Sequence, residues 1–201
     1  MKRVLAIDPI RKGFGFAVLD GPSYLIDWGL KGTRRREEPR QRWCLRQIAA
    51  LIDFYQPDRL VVEDCGDARF KRGERNRRFI ERISELADER GVPVRRVSRV
   101  GLHRAFASAG GRTKYKIALA IAGRFPELAW RLPPIRKPWM SEDTRMGIFD
   151  AMALALASYT RPSGRKLGAG NGLGAEGSRH RAIDHEAEID PVIRQVREIN
   201  G

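Results

Sequence analysis

Residues 4–19, VLAIDPIRKGFGFAVL, decide how this chain reads. An apolar run from Arg3 to Ile7 stops at Asp8-Pro9. A basic turn follows, and Gly13 to Leu19 (GFGFAVL) is a second apolar run. Asp20-Gly21-Pro22-Ser23 is a strong turn signal, and Tyr24 to Leu30 (YLIDWGL) has the make-up of a third strand. Three short strands joined by tight turns predict an antiparallel meander. The same stretch sets a carboxylate, Asp8, at the end of an apolar strand. An acid there costs free energy unless something pairs it. A turn-forming acid ahead of Pro9 is the plainer alternative.

Working outward, a basic loop from Lys31 to Arg36 leads into a helix expected over Pro39 to Tyr55. Its apolar residues Trp43, Ile48, Leu51, Ile52 and Tyr55 recur at helical spacing. Gln56-Pro57-Asp58 ends it. Arg59 to Val62 (RLVV) reads as a buried strand ending in Glu63. A second helix is expected from Glu74 to Arg90, stopped by Gly91, and Val92 to Val97 (VPVRRV) as a further strand. The order is therefore βββαβαβ. Two more helices follow, over Thr113 to Phe125 and Asp143 to Tyr159, separated by the proline-rich Leu132 to Trp139. From Arg161 the composition turns glycine-rich, then charged, with a short amphipathic helix expected after Pro191. The reading is one compact domain over 1–160 and a Gly-rich linker with a charged tail over 161–201.

The chain has 201 residues, 42% of them hydrophobic, enough for a real core. Lys and Arg number 39 against 25 acids, a formal charge of +14, and Arg outnumbers Lys several-fold. The Arg fork suits phosphate, so the charge points to polyanions; a genome-wide Arg bias is the competing explanation. Two cysteines, Cys44 and Cys65, show no metal-binding spacing and need no disulfide framework, which fits a reducing cytoplasm. The N-terminal apolar stretch is too short for a signal peptide, and no run approaches transmembrane length. Membrane partners are thus disfavoured against nucleic acid.

Three acids stand out by position. Asp8 follows the first strand, Glu63 closes RLVV, and Asp150 sits inside the Ala-rich final helix between Phe149 and Ala151. Divalent metal is an efficient partner for several carboxylates in apolar settings. Each has a plainer reading: Asp8 as turn former, Glu63-Asp64 as loop opener, Asp150 as partner of a neighbouring Arg.

Taken in order, the motifs resemble the RuvC-like Holliday junction resolvases of the ribonuclease H-like superfamily. VLAIDPIRKGFGFAVL matches an apolar strand ending in Asp-Pro with a Gly-containing second strand. LVVED matches the Glu closing the fourth strand, and FDAMALALA matches the final helix with its Asp-Ala pair. The resemblance spans residues 3 to 159. It implies an α/β fold with a mixed five-stranded sheet flanked by helices. It also implies a divalent-metal-dependent endodeoxyribonuclease of the crossover junction type, working in DNA recombination and repair, with no small-molecule cofactor. On it, Asp8, Glu63 and Asp150 are catalytic and metal-binding. Asp8 would bridge two Mg²⁺ or Mn²⁺ ions about 4 Å apart, Asp150 sharing the one that activates water and Glu63 the one that stabilises the leaving 3′ oxygen. The product would carry a 5′-phosphate, and a homodimer would suit two symmetric nicks.

Two positions depart from the family pattern. Ile10 stands where the family has Gly, and Gly147 where it has an acid or His one turn before the helix Asp. Asp143 is a possible extra acid, seven residues before Asp150 on the same helical face, and equally a helix-start acid.

Basic segments supply candidate nucleic-acid contacts. Arg69, Lys71, Arg72 and Arg75 begin six residues past Glu63, and a run this dense is explained by an anion partner or by solvation. Gly110-Gly111-Arg112-Thr113-Lys114 is a Gly-rich turn into a helix, where free amides bind phosphate; Arg112 and Lys114 add charge. Thr113 as an ordinary cap is the alternative. Branched DNA is the expected partner. A non-catalytic nucleic-acid-binding module on the same fold and a ribonuclease of the related RNA-processing branch stay open. An actin-like phosphotransferase does not fit, because Ile10-Arg11-Lys12 is a poor phosphate loop.

Overall fold

The computed structural model describes residues 2–32, 38–66, 73–111, 113–137 and 139–160. Arg69, Lys71, Arg72, Arg112 and the expected linker and tail at 161–201 lie outside the described residues.

Strands β1 (Arg3–Ile10), β2 (Gly13–Asp20) and β3 (Tyr24–Gly32) form the expected meander. Helix α1 (Arg40–Tyr55) leads to β4 (Arg59–Glu63), and α2 (Glu74–Asp88) to β5 (Val94–Val97). The sheet order is β3-β2-β1-β4-β5, with β1–β2–β3 antiparallel and β1–β4–β5 parallel. This is the mixed five-stranded sheet expected. Helices α3 (Arg99–Ala105), α4 (Lys114–Arg124) and α5 (Met146–Tyr159) follow, with a 3₁₀ turn over Pro126–Arg131.

Alternation along the strands builds two cores. Leu5, Ile7, Phe14, Phe16, Val18, Leu60 and Val62 pack with α1 and α2. Val4, Ala6, Ala17, Leu19 and Val61 face the other way, onto α4 and α5. Strand side chains point to opposite faces in turn, so both faces of the sheet are covered by helices. Helix α5 is the centrepiece of the second core. From Met146 to Ser158 every residue except Asp150 is buried. A helix apolar all round belongs inside a protein, and each buried Leu, Ile, Phe or Met side chain contributes about 1.5–3 kcal/mol.

The structure corrects several expected boundaries. β1 does not stop at Asp8 but runs through Pro9 to Ile10. Pro9 is tolerated because β4 pairs with β1 only through Ala6, leaving one neighbour beyond it. α5 starts at Met146, not Asp143. The Asp143 carboxylate accepts the Arg145 backbone N–H at 2.8 Å, a local turn that competes with helix at that point. α2 ends at Asp88 and β5 starts at Val94. The 3₁₀ turn was not anticipated as an element; α3 is only seven residues long and buries none of them.

Candidate active site

The two-residue period places the acids. Asp8 lies two residues beyond Ala6, and Glu63 two beyond Val61, so both share the sheet face that carries α4 and α5. Ala6 and Val61 are register partners across β1 and β4. Asp8 is 2% exposed and Glu63 7%. Asp150 comes to the same place from α5. Asp8, Glu63, Arg99, His103, Lys114 and Asp150 line a cavity of about 70 Å³. A wider cleft adjoins it, bordered by Asp8, Arg11, Lys12, Glu142, Asp143 and Asp150 among others.

Cations sit on these acids. Lys114, the first residue of α4, donates from Nζ to Asp150 Oδ2 and to Glu142 Oε1, each at 2.8 Å. Burial alone would push the Lys114 ammonium down; Asp150, Glu142 and Asp8 outweigh it and hold its pKa above the ordinary lysine value. Thr113 caps α4 by accepting the Lys116 N–H, which fixes Lys114 at the first turn. Arg99, opening α3, donates from Nε to Glu63 Oε1 at 2.9 Å. The β4–β5 register explains this contact: Glu63 pairs with Val97, and Arg99 is two residues on. The His103 Nδ1 lies 3.3 Å from the Gly111 carbonyl oxygen.

Gly147 and Ile10 are mutually fitted. A Cβ on Gly147 would stand 2.6 Å from Ile10 Cγ2. The space a side chain at 147 would enter is therefore taken up by the larger residue at 10, which any side chain at 147 would have to displace. The two departures noted in the sequence are one packing arrangement.

The other expected site residues distribute unevenly. Asp143 borders the cleft, but before α5 rather than on its face, and its carboxylate is held by Arg145. That guanidinium keeps it below the ordinary carboxylate range. Arg75 is exposed and borders a separate depression with Arg40 and Arg78, not the acid-lined cavity. Trp139, at the end of the proline-rich segment, is 78% exposed. Sequence reasoning missed Arg99, Glu142, Arg11 and Lys12. The parallel β4–β5 pairing could have flagged Arg99, since consecutive parallel strands end at the same edge. Nothing local marks Glu142, which reads as part of a helix-start signature.

No family model matches the chain, and no curated protein sequence matches it significantly. Solved structures do. RuvC of Thermus thermophilus aligns with a TM-score of 0.53 at 22% identity, covering 77% of this chain and 92% of that one. The same protein in complex with a Holliday junction substrate gives 0.56 at 20% identity, over 78% and 92%. This chain has the ribonuclease H-like fold of RuvC. Fowlpox virus resolvase with its substrate Holliday junction DNA aligns at 0.46 and 17% identity, over 78% and 95%.

On the RuvC fold, the cavity stands where β1 and β4 meet α5. Among the described residues, no three His, Cys, Asp or Glu side chains are gathered tightly enough to hold an ion together. The chemistry nonetheless fits a hard divalent cation. The donors are all carboxylate oxygens, the kind Mg²⁺ and Mn²⁺ take, and Asp150 and Glu142 already converge on a cation, the Lys114 ammonium. No helix among the described residues is long and apolar enough to cross a membrane.

Proposed function

We propose that this protein is a divalent-metal-dependent endonuclease acting on branched DNA such as Holliday junctions, in recombination and repair. One observation carries the reading. Asp8, Glu63 and Asp150, from two adjacent strands and the buried helix, line one cavity on a fold shared with RuvC, a protein solved with a Holliday junction substrate. Asp8, Glu63 and Asp150 would hold Mg²⁺ or Mn²⁺, two ions in the full site, which supply Lewis acidity at the scissile phosphate and a nucleophile from water.

The protein's own groups do the rest. Near-complete burial removes Asp8 and Glu63 from bulk solvent, which makes their charge interactions stronger. Lys114 holds Asp150 and Glu142 in place and stands at a helix N-terminus, a setting that receives phosphate. Arg99 orients Glu63. Arg11 and Lys12 border the wider cleft and add charge along the path of a DNA backbone. Arg69, Lys71, Arg72, Arg75 and Arg112 remain candidates for phosphate contact from the sequence alone. Residues 1–160 are then the nuclease domain, 161–201 an appended tail, and a homodimer is the natural partner for two symmetric nicks.

A second reading is a non-catalytic junction-binding module. It is favoured by Arg99 on Glu63, Lys114 on Asp150, and the closed position at Gly147. Incubating the purified protein with four-way, flap and linear DNA and matched RNA, with Mg²⁺, Mn²⁺ or chelator, separates the readings. Metal-dependent incision of DNA junctions supports the nuclease. Binding without incision under every condition supports the module.

A further inference from the structure

We infer that Glu142 is a further acid of this site, serving the metal from outside α5, which supplies Asp150 alone. The inference rests on the nuclease reading above.

A side chain one turn before Asp150 would share its helical face. That position is Gly147, and a Cβ there would meet Ile10 Cγ2 at 2.6 Å. The adjacent residues of that turn, Met146 and Ile148, are buried in the apolar core. The next acids toward the N-terminus are Asp143 and Glu142, and they differ in availability. Asp143 is tied to Arg145 by its side chain and by the backbone N–H, with contacts of 2.8 Å to each. Glu142 makes a different contact: its Oε1 accepts from Lys114 Nζ at 2.8 Å, the same ammonium that donates to Asp150. One cation therefore joins Glu142 to Asp150, and both border the cleft with Asp8. Glu142 is about half exposed, on the open side, while Asp150 and Asp8 lie deeper. It is placed to add a carboxylate to the oxygen donor set from the solvent side.

The test is Mn²⁺ binding by the full chain without DNA, read by electron paramagnetic resonance and calorimetry, with melting temperature as a fold control. Glu142→Gln should weaken Mn²⁺ binding by about ten- to a hundredfold, the range seen when a supporting group of a metal site is lost. Asp143→Asn should weaken it much less. A merely structural Glu142 could act only through Lys114, so the decisive pair is made in a Lys114→Met background. There the acids lose their ammonium and Mn²⁺ should bind more tightly than to wild type. Adding Glu142→Gln should still weaken it. Silence of Glu142→Gln in the Lys114→Met background would overturn the inference. Loss of Mn²⁺ binding in Asp150→Asn alongside unchanged binding in Glu142→Gln would overturn it while leaving the nuclease reading intact. Wild-type affinity in Asp150→Asn would overturn both.

Discussion

The carbonyl of Gly147 on α5 lies directly against Gly15 on β2. A Cβ at position 15 would stand 2.1 Å from that oxygen and 2.4 Å from its carbon. Gly15 is also the register partner of Asp8, so the contact that seats α5 on the sheet sits beside the cavity. The first consequence is for stability. Gly15→Ala meets backbone, which cannot turn aside like a side chain. Its cost should reach about 3 kcal/mol or more, the upper part of the range for overpacked cores. Denaturant unfolding measures it; a change within a few tenths would show that helix and strand are not in contact.

Ile10 and Gly147 should be energetically coupled. Gly147→Ala alone should destabilise, because its methyl falls on Ile10 Cγ2. In an Ile10→Ala background that Cγ2 is gone and the same substitution should cost less. A double-mutant cycle should give an interaction of about 1 kcal/mol or more, in the direction of relief. Strict additivity would mean that Ile10 does not close the space.

Much of this arrangement was legible in the sequence. The βββαβαβ order, the mixed sheet and the helices followed from period-two and helical spacing, because most of those segments bury one continuous face. The exceptions have local causes. Asp143 was expected on the last helix, but its carboxylate captures the Arg145 N–H and delays the helix to Met146. α3 gives only a weak signal, because it buries no residue and so shows no apolar stripe. At the site, Asp8 and Glu63 could be placed from strand alternation alone. The partners Arg99 and Glu142 could not, since each contact depends on how separate elements converge. The mutual fit of Ile10 and Gly147 was visible only as two unrelated departures.

Cys44 gives a pH-dependent check on the other core. Burial pushes its thiol up from 9.0 to about 11, and nearby Arg40 only partly offsets this. The folded state therefore keeps the proton while the unfolded chain loses it above pH 9. Stability from this group is present below pH 9 and declines as pH rises towards 11. The decline should be on the order of 2 kcal/mol and should be absent from Cys44→Ala. Unfolding curves between pH 8 and 11 test the slope rather than the level, so the cavity left by the substitution does not obscure it. Equal slopes in the two proteins would contradict the burial of Cys44.

Junction preference should appear as a difference in salt dependence. A four-way junction presents several arms to the basic surface around Lys114, Arg11 and Lys12, where a linear duplex presents one. Binding should be tighter for the junction, and its log–log slope against salt steeper, because more phosphates are neutralised. Fluorescence anisotropy on both substrates measures this. Equal affinities and slopes would remove the junction preference and leave the metal-nuclease reading standing.

The central claim is that Asp8, Glu63 and Asp150 together carry cleavage. The most direct measurement is the single-turnover incision rate of a four-way DNA junction in Mg²⁺ or Mn²⁺, at saturating protein, for wild type, Asp8→Asn, Glu63→Gln and Asp150→Asn. Binding and melting temperature are recorded on the same samples. Each variant should bind the junction and remain folded, yet cut at least about a hundredfold more slowly, the scale of losing a group that stabilises the transition state. Wild-type incision by any of the three variants, or incision by wild type that persists in chelator, would contradict the account.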